Sequence, residues 1–267
     1  IRIAEEMANN LKHEVLLNKE VTSIDLSEDS AKVSCDDGTS FSADRIICSL
    51  PFSVLEGISI YPKIMGPQSQ AIKSLKSQKI NMLHLVPKKP FWEIDGMSPN
   101  MYTDQLAGMI LSQRQASSPE KVDSLTVWLR GPIAERLDRM DQNEAIASVI
   151  QSIEDLRPSA KGQLEVAAYH SWFLNPYSKG DWAYWAPGQI KEFGREISKP
   201  HHRLHFCGEH TAIANRGMEG ALESGERVFF EILNYFTVYE MFICPSRTFL
   251  VNYIYYISFW FVFGLND

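Results

Sequence analysis

A mixed α/β fold is what the 267-residue sequence predicts, and three observations carry that expectation. Short runs rich in Val, Ile and Phe, separated by Gly, Pro and Asp turns, recur from Val15 to Leu129 and read as strands. Two longer stretches, 141–156 and 218–233, instead space apolar residues three and four apart, the period of an amphipathic helix. The last strand runs into the last helix through a polar corner containing glycines, a strand–loop–helix unit typical of layered α/β architectures.

The elements follow in order. Ala4, Met7, Ala8 and Leu11 continue the spacing of Ile1, so the chain opens inside an amphipathic helix and reads as the continuation of a longer polypeptide. Val15–Leu17, Val21–Ile24 and Ala31–Cys35 are expected strands, with a turn at Asp36-Asp37-Gly38. Phe41–Leu50 is expected as one buried strand, stopped by Pro51. A loop holding Pro62, Gly66 and Pro67 leads to a helix at Ser69–Leu75. Ile80–Val86 reads as a strand that Pro87 and Pro90 end, followed by shorter strands at Tyr102, Gly108–Leu111 and Ser124–Leu129. The helix at Asp141–Leu156 has Asp141 as its N-cap, Glu144 completing a capping box, and Ile146, Val149, Ile150 and Ile153 along one face. Leu164–His170 is a strand, 175–190 an aromatic loop, Leu204–Cys207 a strand and Met218–Leu233 a helix.

A hydrophobic content of 45% is ample for a large core, and the length allows one or two domains. With 26 basic and 33 acidic residues the net charge is -7, which excludes the basic face of a nucleic-acid binder. Cys35, Cys48, Cys207 and Cys244 form no C-x-x-C pair, so neither a disulfide framework nor a structural zinc site is indicated, and a reduced, cytoplasmic setting is favoured. His201, His202, His205, Cys207 and His210 cluster in sequence, but their spacing fits no zinc pattern. The uncharged run Phe249–Leu265 has three readings: a membrane anchor at the lower limit of length, an aggregation-prone tail rich in strand-favouring residues, or an artefact of how the coding region was defined.

The segment with the sharpest chemistry is His205–Val228. A strand ends at Gly208, and a helix begins near Met218. Gly217 and Gly220 remove side chains where that helix starts, so backbone amides can approach a flat or anionic ligand. The helix start adds free donors and partial positive charge. Glu209 stands at the strand end, where open α/β sheets bind ligands. Spacing alone fits an ordinary packed corner equally well.

The motifs G-E-H-T and R-G-M-E-G-A-L-E-S-G-E-R in this segment resemble the closing FAD-binding motif of the flavin-containing amine oxidases, the family of monoamine, polyamine and L-amino acid oxidases. Three further segments resemble the same family in order and spacing: A-D-R-I-I-C-S-L-P-F-S-V-L from Ala43, K-K-P-F-W from Lys88, and W-F-L-N-P-Y-S-K-G-D-W-A-Y-W-A-P-G from Trp172. The resemblance covers residues 1–235. It implies a partial FAD-binding, Rossmann-like domain (1–70 and 175–235) and part of a mixed-sheet substrate domain (71–174), with 236–267 a hydrophobic tail of unassigned role. The family's amino-terminal G-x-G-x-x-G segment has no counterpart here.

The resemblance also implies roles. Val21 contacts the adenine end of FAD through its backbone, and Gly208 and Glu209 bind near the ribityl chain. Gly217 and Met218 lie at the pyrimidine edge of the flavin. Trp172 packs on the isoalloxazine, and Trp182 is an aromatic wall of the substrate cage, suited to an amine because ring faces attract cations. Read from residue type alone, Trp172, Trp182, Tyr184 and Trp185 are better taken as core packing, because large aromatics usually serve burial. The implied reaction is oxidation of an amine C–N bond by hydride transfer to flavin, with oxygen as acceptor and hydrogen peroxide as product. A homo-oligomer and membrane contact through 249–265 are both admitted.

Three residues depart from the family pattern. Asp181 stands where monoamine oxidases attach flavin through Cys, which implies non-covalent FAD. Gly217 replaces a second cage aromatic. Met82 occupies the place of a Lys near the flavin, and Lys79 matches it only with an insertion. A non-catalytic remnant, a desaturase or a protoporphyrinogen oxidase are the rival readings.

Overall fold

The computed structural model describes residues 2–115 and 117–243. The tail at Phe249–Leu265 and Cys244 lie outside the described residues. In chain order the elements are α1 (Arg2–Asn9), β1 (Val21–Leu26), β2 (Ala31–Cys35), β3 (Ser40–Ala43), β4 (Ile46–Cys48), α2 (Phe52–Leu55), β5 (Ser59–Tyr61), α3 (Gly66–Ser74), β6 (Lys76–Ser77), β7 (Ile80–Pro87), α4 (Phe91–Asp95), β8 (Met101–Tyr102), β9 (Met109–Gln115), β10 (Ser118–Arg130), α5 (Pro132–Leu137), α6 (Gln142–Leu156), β11 (Leu164–Ser171), β12 (Ala183–Tyr184), α7 (Gln189–Phe193), β13 (Leu204–Phe206) and α8 (Met218–Ile243). They divide into two compact units, one running to Lys76 and resuming at Trp182, the other Ser77–Asp181.

The discontinuous unit holds a four-stranded sheet in the order β3-β2-β1-β5, antiparallel except for the parallel pair β1–β5. A separate parallel pair joins β4 to β13, with Ile46 opposite Leu204 and Cys48 opposite Phe206. Its core gathers Ile24, Leu26, Phe52, Leu55, Leu204 and Phe206, all buried. Two expectations fail here. Val15–Leu17 forms no strand, and Leu16 and Leu17 are exposed, because no described strand offers that segment a partner ladder. Phe41–Leu50 is not one strand but two, since β3 closes the four-stranded sheet while β4, beyond Asp44-Arg45, pairs with β13.

The continuous unit is built on an antiparallel sheet in the order β11-β7-β10-β9-β8. Strand alternation sends Leu83 and Leu85 of β7 to one face, where they join Val149 and Ile153 of α6 in a second core. Met82 and His84 therefore occupy the other face, with Trp128 and His170 directly across from Met82 on the flanking strands. The start of α6 is fixed as its sequence foretells, by Asp141 Oδ1 accepting from the amides of Asn143 (2.8 Å) and Glu144 (3.3 Å). A second anchor joins α4 to the turn after α6. The guanidinium of the buried Arg157 grips both oxygens of Asp95 (3.0 and 2.6 Å) and the Ser98 carbonyl (2.6 Å), which holds the Asp95 carboxyl well below the usual range.

Among the described residues no helix is long and apolar enough to cross a membrane.

Candidate functional site

Strand β13 ends at Cys207, whose amide donates to the Cys48 carbonyl (2.9 Å) and carries the parallel pairing one residue past the strand. Gly208 follows with φ of +113°, a conformation side chains rarely adopt, and a Cβ there would come within 2.7 Å of the His210 ring. The chain then makes a single 3-10 turn, Glu209–Thr211, and reaches α8 through a loop.

Helix α8 is fastened to this corner along one face. Ser224, fully buried, accepts the Gly208 amide (2.8 Å) and donates to the Ala221 carbonyl (2.8 Å). Arg227 donates to the Phe206 carbonyl (2.7 Å) and to Thr211 Oγ1 (3.2 Å). Glu231 accepts from Arg227 (3.3 Å) and from Nδ1 of His205 (2.7 Å), while Nε2 of His205 faces the Arg45 guanidinium at 3.2 Å. Glu223 closes the loop, its two oxygens taking the amides of Ile213 (2.9 Å) and Ala214 (3.2 Å). At Gly220 a Cβ would stand 2.1 Å from the Asn215 carbonyl oxygen, so the loop and the first turn of the helix fit together only without a side chain.

These fasteners expose the start of α8. The Ala221 amide bonds back to the Gly217 carbonyl (3.0 Å), so the amides of Met218, Glu219 and Gly220 precede the first closed turn and have no acceptor within the helix. A Cβ at Gly217 would touch only the indole nitrogen of Trp182, at 3.6 Å. Arg216 donates to the Ala183 carbonyl (2.7 Å), and the Ala183 amide donates to Glu209 Oε1 (2.5 Å). The structure thus brings Gly208, Glu209, Gly217, Met218 and Trp182 into one linked corner.

Glu209 is the charged centre of that corner. Burial pushes its carboxyl upward, opposed by the Ala183 amide and by Arg216. Its second oxygen, Oε2, is buried without a protein partner. A buried acceptor left unmatched costs about 1–3 kcal/mol, so an external donor at this oxygen would be stabilising. Hydroxyl groups of a polyol chain have the required chemistry.

Two expected site residues lie apart from this corner in the chain. Val21 opens β1 opposite Cys35 and packs, half-buried, on the core of the same unit. Trp172 belongs to the continuous unit, just past β11. Its amide donates to the Ile80 carbonyl (3.1 Å), and its indole N–H donates to the sulfur of Met82 (3.2 Å). Lys79 turns elsewhere in that unit, with its ammonium 3.3 Å from Glu135 and over the Phe173 ring.

The histidines go to separate partners. His201 meets the Pro62 carbonyl (2.7 Å), His205 is buried against Glu231, and His210 is buried edge-on to Phe52, ring centroids 4.7 Å apart. His205 and His210 are thus core residues of the corner. Among the described residues, no group of three or more His, Cys, Asp or Glu comes together as a metal ligand set.

Burial, with a smaller push from Arg227, brings the His210 imidazole down to about 4 from its ordinary 6.5. The unfolded chain therefore takes up a proton between those values that the folded protein refuses. Stability should be full above pH 6.5, fall as pH drops toward 4, and level off below. The gap is worth about 3 kcal/mol in all. Urea unfolding near pH 7 and near pH 5, compared with His210→Phe, measures it. An identical pH slope in the variant would discard this assignment.

Sequence reasoning found the glycines and Glu209 but missed Glu223, Ser224, Arg227 and Glu231. Their signal was present: polar residues at three- and four-residue spacing on the face of α8 that also carries the buried Gly220 and Val228.

A family model described as flavin containing amine oxidoreductase matches residues 2–229. The chain belongs to that family. Its members are flavin-dependent oxidoreductases acting on amines, with FAD as cofactor. The chain is 27% identical over 243 residues to the flavin-containing amine oxidase A of Equus caballus, covering 87% of this chain and 45% of that protein. It is 24% identical to a putative L-amino-acid oxidase of Bacillus subtilis (strain 168), over 83% of this chain and 48% of the relative. The chain therefore spans about half the length of the curated relatives it matches. In fold it is similar to wild-type putrescine oxidase bound to putrescine (TM-score 0.76, 21% identity, 87% of this chain and 52% of that one). It is likewise similar to cyclohexylamine oxidase from Brevibacterium oxydans IH-35A (TM-score 0.72, 18% identity, 83% and 49%). The Glu209–Gly217 corner of this chain holds helix-start amides with no acceptor within the helix and a buried carboxylate oxygen with no protein partner.

Proposed function

We propose that this chain supplies the flavin-facing part of an FAD-dependent amine oxidase that oxidises a C–N bond, with oxygen as acceptor and imine (then aldehyde) and hydrogen peroxide as products. The observation that carries the reading is the unpartnered, buried Glu209 Oε2 in a corner shared with the open amides of α8 and the Trp182 ring. Bound FAD would supply a two-electron acceptor, the chemistry that the side chains lack.

The chain's own residues bind and orient. Glu209 accepts from ribityl hydroxyls, Gly208 permits the close backbone approach, and Val21 offers its backbone at the adenine end. The amides of Gly217 and Met218 face the pyrimidine edge, where the positive end of α8 favours negative charge. Trp172 packs on the isoalloxazine, and Trp182 walls the amine site with an aromatic face. With Asp181 preceding Trp182, FAD is held without a covalent bond. The free, buried thiols of Cys35, Cys48 and Cys207 support a cytoplasmic setting.

Visible absorption tests the reading. The complete gene product, purified, should be yellow, with bands near ~370 and ~450 nm that bleach on anaerobic addition of a primary amine. A folded protein that stays colourless after incubation with FAD would instead mark a non-catalytic remnant. Trp182→Ala should raise KM for accepted amines by about tenfold, the worth of one well-placed ring contact of ~1.4 kcal/mol. Unchanged kinetics with every active amine would remove Trp182 from the cage.

A further inference from the structure

A ring of links closes around the Glu209 corner, and Arg216 is the member whose task the proposed function leaves unassigned. Gly208 donates its amide to Ser224 Oγ on α8 (2.8 Å). Glu209, next in the chain, takes the Ala183 amide on Oε1 (2.5 Å), and the Ala183 carbonyl takes Nη1–H of Arg216 (2.7 Å). Arg216 runs directly into Gly217 and the start of α8, and the helix leads back to Ser224. Every member of this ring lies within the discontinuous unit. Ala183 is buried, whereas Arg216 is exposed. An exposed arginine ordinarily leaves its donors to water, and ordering so long a side chain costs rotamer freedom. Here the guanidinium is committed to one backbone carbonyl, two bonds away from the buried carboxylate. Arg216 acts on that carboxylate by charge as well: burial pushes the Glu209 carboxyl up, and the Ala183 amide and the Arg216 charge draw it back.

We propose that Arg216 is a positioning residue: by tethering Ala183 it fixes Oε1 of Glu209 on the protein, so that Oε2 is held ready for the ribityl hydroxyls of a flavin. This rests on the reading of Glu209 as the ribityl acceptor. A carboxylate tied at one oxygen has lost its torsional freedom before the ligand arrives, which lowers the entropy cost of binding. The tie is only as firm as Ala183, and Arg216 holds Ala183 from its carbonyl side while Glu209 holds it from its amide side. A methionine at 216 keeps the aliphatic stem and removes both the charge and the donor.

The test has one arm without flavin and one with it. Labelling with 15N-alanine and carbonyl-13C-tryptophan marks the two Trp-Ala amides, those of Ala183 and Ala186, and Trp185→Phe tells them apart. In the flavin-free protein, Arg216→Met should shift the Ala183 amide resonance upfield and speed its solvent exchange about tenfold, the sign of a loosened bond to Glu209. An Ala183 amide unmoved in Arg216→Met overturns the proposal. In the second arm the Kd for FAD is measured by equilibrium dialysis on the complete protein, as a double-mutant cycle with Glu209→Ala. Arg216→Met alone should weaken binding about three- to tenfold. Added to Glu209→Ala it should change Kd by less than about twofold, because a residue that acts through Glu209 has nothing left to act on. Equal weakening in both backgrounds overturns the proposal, since it gives Arg216 a route of its own. A Glu209→Ala protein that binds FAD as wild type does, or a wild type that binds none, fails the reading of Glu209 and takes the proposal with it. Loss of binding in Glu209→Ala with none in Arg216→Met keeps that reading and overturns the role of Arg216 alone. Should Arg216→Met not fold, Arg216→Gln replaces it with the same expected results, because a carboxamide lacks the charge and is too short to take over the tether.

Discussion

Gly220→Ala is expected to destabilise the protein by about 1–3 kcal/mol, the cost of forcing an extra carbon into a filled space. The sign is informative, because glycine to alanine within a helix ordinarily stabilises by about 1 kcal/mol. Here the added Cβ would meet the Asn215 carbonyl oxygen at 2.1 Å and the Ala212 Cβ at 2.8 Å. Neither is the end of a flexible side chain. The loop held by Glu223 must shift, and the first turn of α8 with it. Differential scanning calorimetry should record a fall in Tm of about 3–10 °C. Flavin affinity should fall as well, since the displaced turn carries the amides of Gly217 and Met218. A raised Tm would mean that the loop yields freely and that its fit to the helix is incidental.

Glu209→Ala should release the flavin while leaving the fold standing. The side chain has one protein bond, from the Ala183 amide, and one buried oxygen that the protein leaves unmatched. Removing a carboxylate that accepts from ligand hydroxyls is worth about 1.5–3 kcal/mol, or roughly ten- to a hundredfold in Kd. Dialysis of the complete protein against buffer, with flavin absorbance followed over time, is the measurement. Glu209→Gln separates charge from geometry, because the amide keeps a carbonyl acceptor. Retention by the alanine variant equal to wild type would mean that Glu209 serves the fold alone, through Ala183.

How much of this could be read from residues alone varies with the physics of each element. Helix α6 was legible because its cap, its period and the proline after it are local signals, and Asp141 bonds the amides that its position implies. Strand β7 was legible from its apolar run and its closing proline. Val15–Leu17 misled because a strand needs a neighbour, and β propensity does not say whether one is there. The break between β3 and β4 was invisible for a related reason: both halves are good strands, and only the arrival of residues 204–206 shows that they serve different sheets. The corner itself announced its glycines and Glu209. It did not announce that His205 and His210 are buried, because that depends on Glu231 and Phe52, distant in sequence and chosen by packing.

The pairing of β4 with β13 sets an order of assembly. Residues 46–48 must wait for residues 204–206, while every strand of the five-stranded sheet lies within Ser77–Asp181. During synthesis the inserted unit has all its partners before the outer one does, and the ribosome delivers the later strand only after the insert has emerged. Closing that long loop costs less chain entropy once the insert is compact than when it is a free coil. A destabilising change inside Ser77–Asp181 should therefore slow the β4–β13 pairing and the formation of the Glu209–Gly217 corner, and appear first as poor yield of folded protein during expression.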